Sequence, residues 1–82
     1  MSRIKVGIVA GGKSSEHEIS CISAGGVLSA IDVDKYEPVL IGITKAGKWV
    51  LPPADYNLRI QGDVLPEISD DLPETSIDKL NV

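Results

Sequence analysis

The chain has 82 residues, with 12 acidic against 8 basic side chains, a net charge of −4 and a single cysteine, Cys21. This length allows one small domain, in which the burial of apolar surface is marginal without a partner or further chain. The acidic balance and the scarcity of aromatic residues argue against a nucleic-acid partner, and no apolar run is long enough to cross a membrane. A lone cysteine forms no internal disulfide, so we expect Cys21 to be a small buried residue and the protein to be cytoplasmic.

The first predicted element is an apolar β-strand from Ile4 to Ala10, which runs into the glycine pair Gly11-Gly12. A helical pattern begins a few residues later. A strand, a glycine turn and a helix start form the arrangement in which α/β sheets bind ligands. Because the backbone N–H groups at a helix start are unpaired and carry partial positive charge, a carboxylate in the first turn is held ionised there.

The helix start contains a capping signal. Ser15 and Glu18 have the spacing of a capping box, which predicts Ser15 as the N-cap and gives the Glu18 side chain a structural role. Glu16 has no such role, so its carboxylate is free to face a cationic ligand group; the alternative is that Glu16 only stabilises the helix dipole. We expect His17 to be a solvated first-turn residue, since no second histidine or cysteine lies at metal-ligand spacing.

The segment from Gly7 to Ser14 also matches a phosphate-loop pattern, Gly-x-x-x-x-Gly-Lys-Ser. That loop needs its intervening residues to surround phosphate groups, whereas Ile8 and Val9 continue the apolar strand. A P-loop nucleotide-binding protein is therefore one alternative function. A second is a non-catalytic βαβ module that associates through its open sheet edge.

The predicted helix should pack on a sheet through one apolar stripe. Helical spacing assigns this stripe to Ile19, Ile22, Val27, Ala30 and Ile31. The pair Gly25-Gly26 lies within the helix and costs stability there, which suggests that the helix backbone approaches the sheet closely at this point.

Two further strands complete the predicted fold. The nearly continuous apolar run from Glu37 to Thr44 is typical of a strand buried in a parallel sheet. With the first strand and the helix it forms a right-handed βαβ unit. Trp49 to Leu51 follows a tight turn and is predicted to return as a hairpin. The fold class is therefore α/β, a partial βαβ or Rossmann-like domain with a parallel strand pair, one helix and a short hairpin.

The composition changes at Pro52. Residues 52–82 hold four of the five prolines and an excess of acidic side chains, with no clear period. We expect a variable loop or insertion at the surface, with a lid or partner contact as the alternative. The predicted organisation is a βαβ substrate-binding region at 1–51 and this acidic segment at 52–82, in a domain that is incomplete at its C-terminus.

The stretches from Val6 to Ser20 and from Gly42 to Trp49 closely resemble the N-terminal region of bacterial D-alanine–D-alanine ligases. The segment Ser-Ser-Glu-His-Glu-Ile-Ser, residues 14–20, is its most specific part. The resemblance implies a pre-ATP-grasp domain of an ATP-grasp ligase. Such an enzyme uses ATP and magnesium to join two D-alanines into the dipeptide needed for peptidoglycan, and hence for cell-wall biogenesis and cell shape.

The resemblance also implies the site residues. Glu16 occupies the position of the glutamate that holds the ammonium group of the first D-alanine, and it is the catalytic and substrate-binding residue we assign; Ile19 occupies a position that lines the same pocket. The ATP and Mg²⁺ sites belong to parts of the ligase absent from this chain, as do a later His-Gly motif and an arginine that supports the oxyanion. We therefore expect the chain alone not to ligate. Its expected partners are D-alanine and the remaining ligase domains, and a homodimer is also allowed.

Overall fold

Two long parallel strands form the centre of the structure, as predicted. In a computed structural model that describes residues 3–53 and 55–79, β1 spans Ile4–Gly11 and β2 spans Tyr36–Ile43. The strands pair in parallel, with Ile8 opposite Leu40. Both sequences are rich in β-branched and other apolar residues, which favour strands covered by neighbouring elements.

The predicted hairpin is also present. Strand β3, Trp49–Val50, pairs antiparallel with the end of β2, so that Trp49 lies opposite Ile43. The turn before it is closed by the Thr44 N–H, which donates to the Lys48 carbonyl at 2.9 Å, and it contains Gly47 at a φ of 91°. The strand order is β1-β2-β3, so β1 lies at an edge of this sheet.

Helix α1, His17–Ala30, connects the parallel strands and packs on β1, but the predicted buried stripe is wrong. Ile19 and Val27 are 57% and 52% exposed. Ile22 and Ile31 are half-buried, and Ala30 is exposed. The side chains that face the sheet are instead separated by steps of four, three and four residues, the spacing of one helical face: His17, Cys21, Ala24 and the half-buried Leu28. Since apolar residues lie on several faces of α1, apolarity alone did not identify the inner face.

The glycine pair of α1 does not mark the predicted approach to the sheet. A Cβ atom added at Gly25 would lie 3.1 Å from the Cβ of Leu58, which belongs to the segment after the hairpin. A Cβ atom added at Gly26 would have no neighbour within 4 Å. The close approach therefore involves one glycine only, and its neighbour is an irregular segment of the chain.

The described residues after β3 are mostly irregular, but they complete the core. Leu58 is 5% exposed and Ile68 is 3% exposed. Regular structure in this part consists of isolated β-bridges and η1, a 3₁₀ turn at Ile77–Lys79. The acidic side chains of the segment lie at the surface. The division of the chain after residue 51 stays a prediction, and the predicted end of the segment at residues 80–82 lies outside the described residues.

The core lies between the sheet, α1 and this irregular segment. Cys21 is a member of it, as predicted. Its buried residues come from all of these parts of the chain: Ile8, Ala10, Cys21, Ala24, Leu40, Val50, Leu58 and Ile68.

Candidate functional site

The glycine turn at the end of β1 is held by backbone and side-chain hydrogen bonds. Gly11 and Gly12 have φ angles of 95° and 113°, which residues other than glycine rarely adopt. The Gly12 N–H donates to the Ile43 carbonyl at 2.8 Å, and the Gly11 N–H donates to Ser20 Oγ at 3.1 Å. The turn is thereby joined to the ends of both parallel strands and to the helix.

The predicted capping box is absent. The N-cap of α1 is Glu16, one residue later than predicted, and its side chain makes no capping hydrogen bond. Ser14, rather than Ser15, supports the helix start: its hydroxyl accepts from the Glu16 N–H at 3.1 Å, and its carbonyl accepts from the His17 N–H at 3.2 Å. The acceptors at the helix start are therefore the hydroxyl and carbonyl oxygens of Ser14, and not the side chains of a capping box.

Glu18 is engaged with Lys45 at the surface. The Lys45 Nζ atom lies 3.4 Å from Glu18 Oε2 and 3.0 Å from Glu67 Oε2, so one ammonium group bridges two carboxylates. A backbone hydrogen bond, and after it the nearby Lys45 charge, hold the pKa of Glu18 below its ordinary value. The hydrogen bond that the Lys45 ammonium donates to Glu67 is the main reason that the pKa of Lys45 is raised.

Glu16 is the exposed carboxylate at the start of the helix. It follows the glycine turn, at the edge of the sheet where the carboxyl ends of β1 and β2 meet. In open α/β sheets this edge is where ligands bind. Ile19 lies three residues further on, at the spacing that places two side chains next to each other on a helix, and it is also exposed. Both predicted site residues are thus exposed near the start of α1.

His17 is not solvated, contrary to expectation. Its side chain is fully buried, at 0% exposure. The Nδ1 atom lies 2.7 Å from the Gly12 carbonyl oxygen, and the Nε2 atom accepts a hydrogen bond from the Ile68 N–H at 3.0 Å. Little in the sequence indicated this burial, because the partner at residue 68 is distant along the chain. The helical spacing from His17 to Cys21 and Ala24 was the available signal.

The phosphate-loop interpretation does not fit the backbone. Residues 7–11 belong to β1, where Ile8 and Val9 pair with Leu40 and Ile41 of β2. They therefore form no loop around phosphate groups. The Lys13 side chain instead passes close to Gly47 of the hairpin turn, where an added Cβ atom would lie 2.8 Å from Lys13 Cδ.

A separate groove of about 690 Å³ lies between α1 and residues 55–60. Gly25, Gly26 and Arg59 are among its lining residues, and none of them belongs to the glycine turn or the helix start. Within the described part of the chain, no three His, Cys, Asp or Glu side chains converge as a metal site. No helix in residues 3–53 and 55–79 has the length and apolarity needed to span a membrane.

Comparison with known proteins identifies the family. Residues 5–79 match the family described as "D-ala D-ala ligase N-terminus". The chain belongs to this family. The family resemblance of the glycine turn and helix start is thus confirmed, and it extends through the irregular segment that follows the hairpin.

Curated relatives agree with this assignment. A D-alanine–D-alanine ligase of Rhodococcus erythropolis is 49% identical over 71 residues, which cover 85% of this chain and 19% of that protein. One of Frankia casuarinae is 49% identical over 67 residues, covering 80% of this chain and 18% of that protein. The chain thus spans about a fifth of the length of these relatives.

A solved structure shows the same fold. The crystal structure of the VanG D-Ala:D-Ser ligase from Enterococcus faecalis superposes with a TM-score of 0.60 at 36% sequence identity. The match covers 61% of this chain and 15% of that one. The α/β architecture with a parallel β1-β2 pair is therefore shared with a ligase of related name.

Proposed function

We propose that this chain forms the first D-alanine site of a D-alanine–D-alanine ligase. The observation that carries the proposal is the Glu16 carboxylate, which is exposed at the N-cap of α1 and makes no capping hydrogen bond. A carboxylate of this kind suits the ammonium group of an amino acid, because the pair forms a charge-assisted hydrogen bond. Glu16 would hold the ammonium group, and Ile19 would line the pocket beside the substrate.

The names of the relatives support the choice of the first substrate. The curated relatives join D-alanine to D-alanine, and the solved structure is that of a D-Ala:D-Ser ligase. D-alanine is common to both names, whereas the second substrate differs. A region that is similar in both kinds of ligase is therefore better suited to bind the shared substrate, D-alanine, than the second substrate, which differs between them.

The contribution of Glu16 to the reaction would be positional. A bound ammonium group fixes the orientation of the substrate, so that the carboxylate of the same D-alanine faces the phosphoryl donor, and such positioning lowers the barrier of a two-substrate reaction. The complete enzyme would be an ATP-grasp ligase that uses ATP and magnesium in the cytoplasm to supply D-Ala-D-Ala for peptidoglycan.

The described residues do not form a binding site for ATP or for magnesium. No three potential metal ligands converge among them, and the phosphate-loop pattern falls in β1. We therefore derive no catalytic step through ATP or magnesium from this chain. Because the chain spans about a fifth of its curated relatives, we assign both sites to the remaining ligase domains and expect residues 1–82 alone not to ligate.

The open edge of the sheet favours a second role, in association. Strand β1 has β2 on one side and lies at the edge of the described sheet. A free edge can pair with another strand. We propose the remaining ligase domains as the partner, with a homodimer or a non-catalytic association module as the alternatives; the size of the isolated chain in solution would separate a monomer from a self-associating module.

The test of the site is Glu16→Gln in a complete ligase that carries this chain. Glutamine keeps the shape and the hydrogen bonding but removes the charge, so the KM for the first D-alanine should rise by about tenfold or more, consistent with about 1.5–3 kcal/mol for a hydrogen bond to a charged group. The KM for ATP should stay nearly unchanged. The matched control is Glu18→Gln, because Glu18 lies on the same helix turn but pairs with Lys45.

Two results would contradict the proposal. One is a D-alanine KM that changes equally in both variants, which would make Glu16 an ordinary surface carboxylate. The other is D-alanine-dependent phosphate release from ATP by residues 1–82 alone, lost in Glu16→Gln, which would place the whole active site in this chain.

A further inference from the structure

The buried imidazole of His17 joins the glycine turn to the irregular segment directly beside Glu16. Its side chain has no exposure to solvent, and its ring contacts the Gly12 carbonyl at 2.7 Å and the Ile68 N–H at 3.0 Å. A buried polar group with both of its hydrogen-bonding atoms satisfied is a strong local constraint. Neither contact involves the side chain of Glu16 or Ile19, the residues of the proposed substrate site.

The partners of the ring determine its tautomer. A backbone carbonyl accepts hydrogen bonds and a backbone N–H donates them, so Nδ1 carries the hydrogen and Nε2 is the acceptor. The ring is also closely enclosed: a Cβ atom added at Gly11 would lie 2.9 Å from His17 Cε1. The imidazole therefore has one orientation and one hydrogen-bonding arrangement.

The Glu16 carboxylate depends on the backbone for its position. Its side chain makes no capping hydrogen bond, and its N–H donates to Ser14 Oγ at 3.1 Å. On the other side, Glu16 shares a peptide bond with His17, whose ring is bonded to the turn that precedes the helix. The position of the Glu16 Cα atom is thus set by Ser14 from the loop and by His17 from the core.

We propose that His17 is a positioning residue, which fixes the Glu16 carboxylate for the ammonium group of D-alanine through its hydrogen bond to the Gly12 carbonyl. This inference rests on the proposed function. The bond to Ile68 orients the ring, and the bond to Gly12 holds the glycine turn against the start of α1.

Two substitutions separate the two hydrogen bonds. In His17→Asn the side-chain amide takes the place of the ring Nδ1 atom and keeps the hydrogen bond to the Gly12 carbonyl. In His17→Gln the amide corresponds to Nε2 and keeps the contact with Ile68. Each variant loses one bond of the imidazole, so a purely structural role for His17 predicts similar effects from both on stability and on kinetics.

Tyr56→Phe is the matched control for the irregular segment. The Tyr56 hydroxyl donates to the Glu67 carbonyl at 2.7 Å and accepts from the Ser69 N–H at 3.3 Å, so it holds the residues on either side of Ile68. Its removal loosens the same segment and leaves the Gly12 contact of His17 in place.

The experiment measures steady-state kinetics of a complete ligase that carries this chain, with D-alanine and ATP varied separately. We expect His17→Gln to raise the KM for the first D-alanine about tenfold, which is the lower end of the loss that follows when a residue orienting a metal ligand is removed. The KM for ATP should not change. His17→Asn should raise the D-alanine KM clearly less than His17→Gln does, and Tyr56→Phe should stay close to wild type.

Equal effects of Asn and Gln, or an equal effect of Tyr56→Phe, would overturn the proposal for His17. Glu16→Gln, measured in parallel, separates the proposed function from the positioning role of His17. If Glu16→Gln raises the D-alanine KM while the His17 variants behave alike, the proposed function stands and the positioning role fails. If Glu16→Gln has no effect, both fail.

A measurement on the unmodified protein applies even where the variants do not fold. The ¹⁵N resonances of the His17 ring report which nitrogen carries the hydrogen. The Nδ1–H tautomer supports the proposal. An Nε2–H tautomer or a doubly protonated ring at neutral pH would overturn it, since neither forms both observed contacts as donor and acceptor.

Discussion

The β1-α1-β2 unit and the irregular segment after β3 build one core by different means. In the first, backbone hydrogen bonds of parallel strands place Ile8 and Leu40. In the second, side-chain hydrogen bonds of Tyr56 and His17 hold the backbone around Ile68, which is equally buried. Regular structure is thus not required for a segment to contribute to the core. Where it is missing, side-chain hydrogen bonds and isolated backbone bonds, such as that from the Leu51 N–H to the Pro73 carbonyl, hold the chain in place.

The largest effect should come from removing a buried side chain of the irregular segment. Ile68→Ala removes a side chain that is 3% exposed, and it should lower the free energy of unfolding by about 2–5 kcal/mol. Ile60→Ala is the matched control, because Ile60 is of the same type in the same segment but 53% exposed. Its effect should stay within about 0.5 kcal/mol. Urea unfolding measures both.

Similar losses from the two isoleucine variants would contradict the comparison. They would mean that the segment contributes to stability only as a whole, and not through the side chain that reaches the core.

Two glycine-to-alanine substitutions should test the contact between the two regions, because they are expected to change stability in opposite directions. A Cβ atom at Gly42 of β2 would lie 2.7 Å from Ile68 Cγ2 and 3.0 Å from Val50 Cγ2, so Gly42→Ala should cost about 1–3 kcal/mol through overpacking. At Gly26 an added Cβ atom meets nothing within 4 Å, and Gly26→Ala should stabilise α1 by about 0.8–1 kcal/mol. Melting temperatures that shift in the same direction would refute the packing at Gly42.

Cys21 should make the stability of the core sensitive to alkaline pH. Burial raises the pKa of its thiol from 9.0 to about 11. The unfolded chain therefore releases this proton at lower pH than the folded one, and stability is lost as the pH rises from about 9 to about 11. Comparing the pH dependence of unfolding in wild type and Cys21→Ala isolates this contribution. Identical curves would show that the thiol is not buried.

The smallest effect should come from the ion pairs of Lys45, which connect the two regions at the surface. The Lys45 side chain is 54% exposed and its partners Glu18 and Glu67 are 31% and 57% exposed, so solvent and salt screen the charges. Lys45→Met should change the melting temperature little. Because the pKa of Glu18 is lowered, its contribution is present at neutral pH and is lost as the pH falls below 4.5. A large loss of stability in 1 M salt would contradict this.

The family and the order of the elements were predictable from residues that are close in sequence. The apolar strands, the glycine turn and the hairpin each depend on local patterns, and the structure confirms them. Glu16 and Ile19 were selected at the same stage, and both lie exposed at the helix start, although their roles remain predictions. Local patterns were less reliable within the helix, where they assigned Ile19 and Val27 to the inner face.

The sequence by itself determined the parallel strand pair, the connecting helix and the ligase family, because hydrophobic period, turn residues and a specific motif act over short separations. The tertiary structure decided which helical face is buried, where Gly25 makes its close contact, and that His17 lies in the core. The last two depend on Leu58 and Ile68, which lie 33 and 51 positions along the chain from Gly25 and His17. No local pattern specifies such a contact, since its energy exists only after the irregular segment has folded back onto the helix.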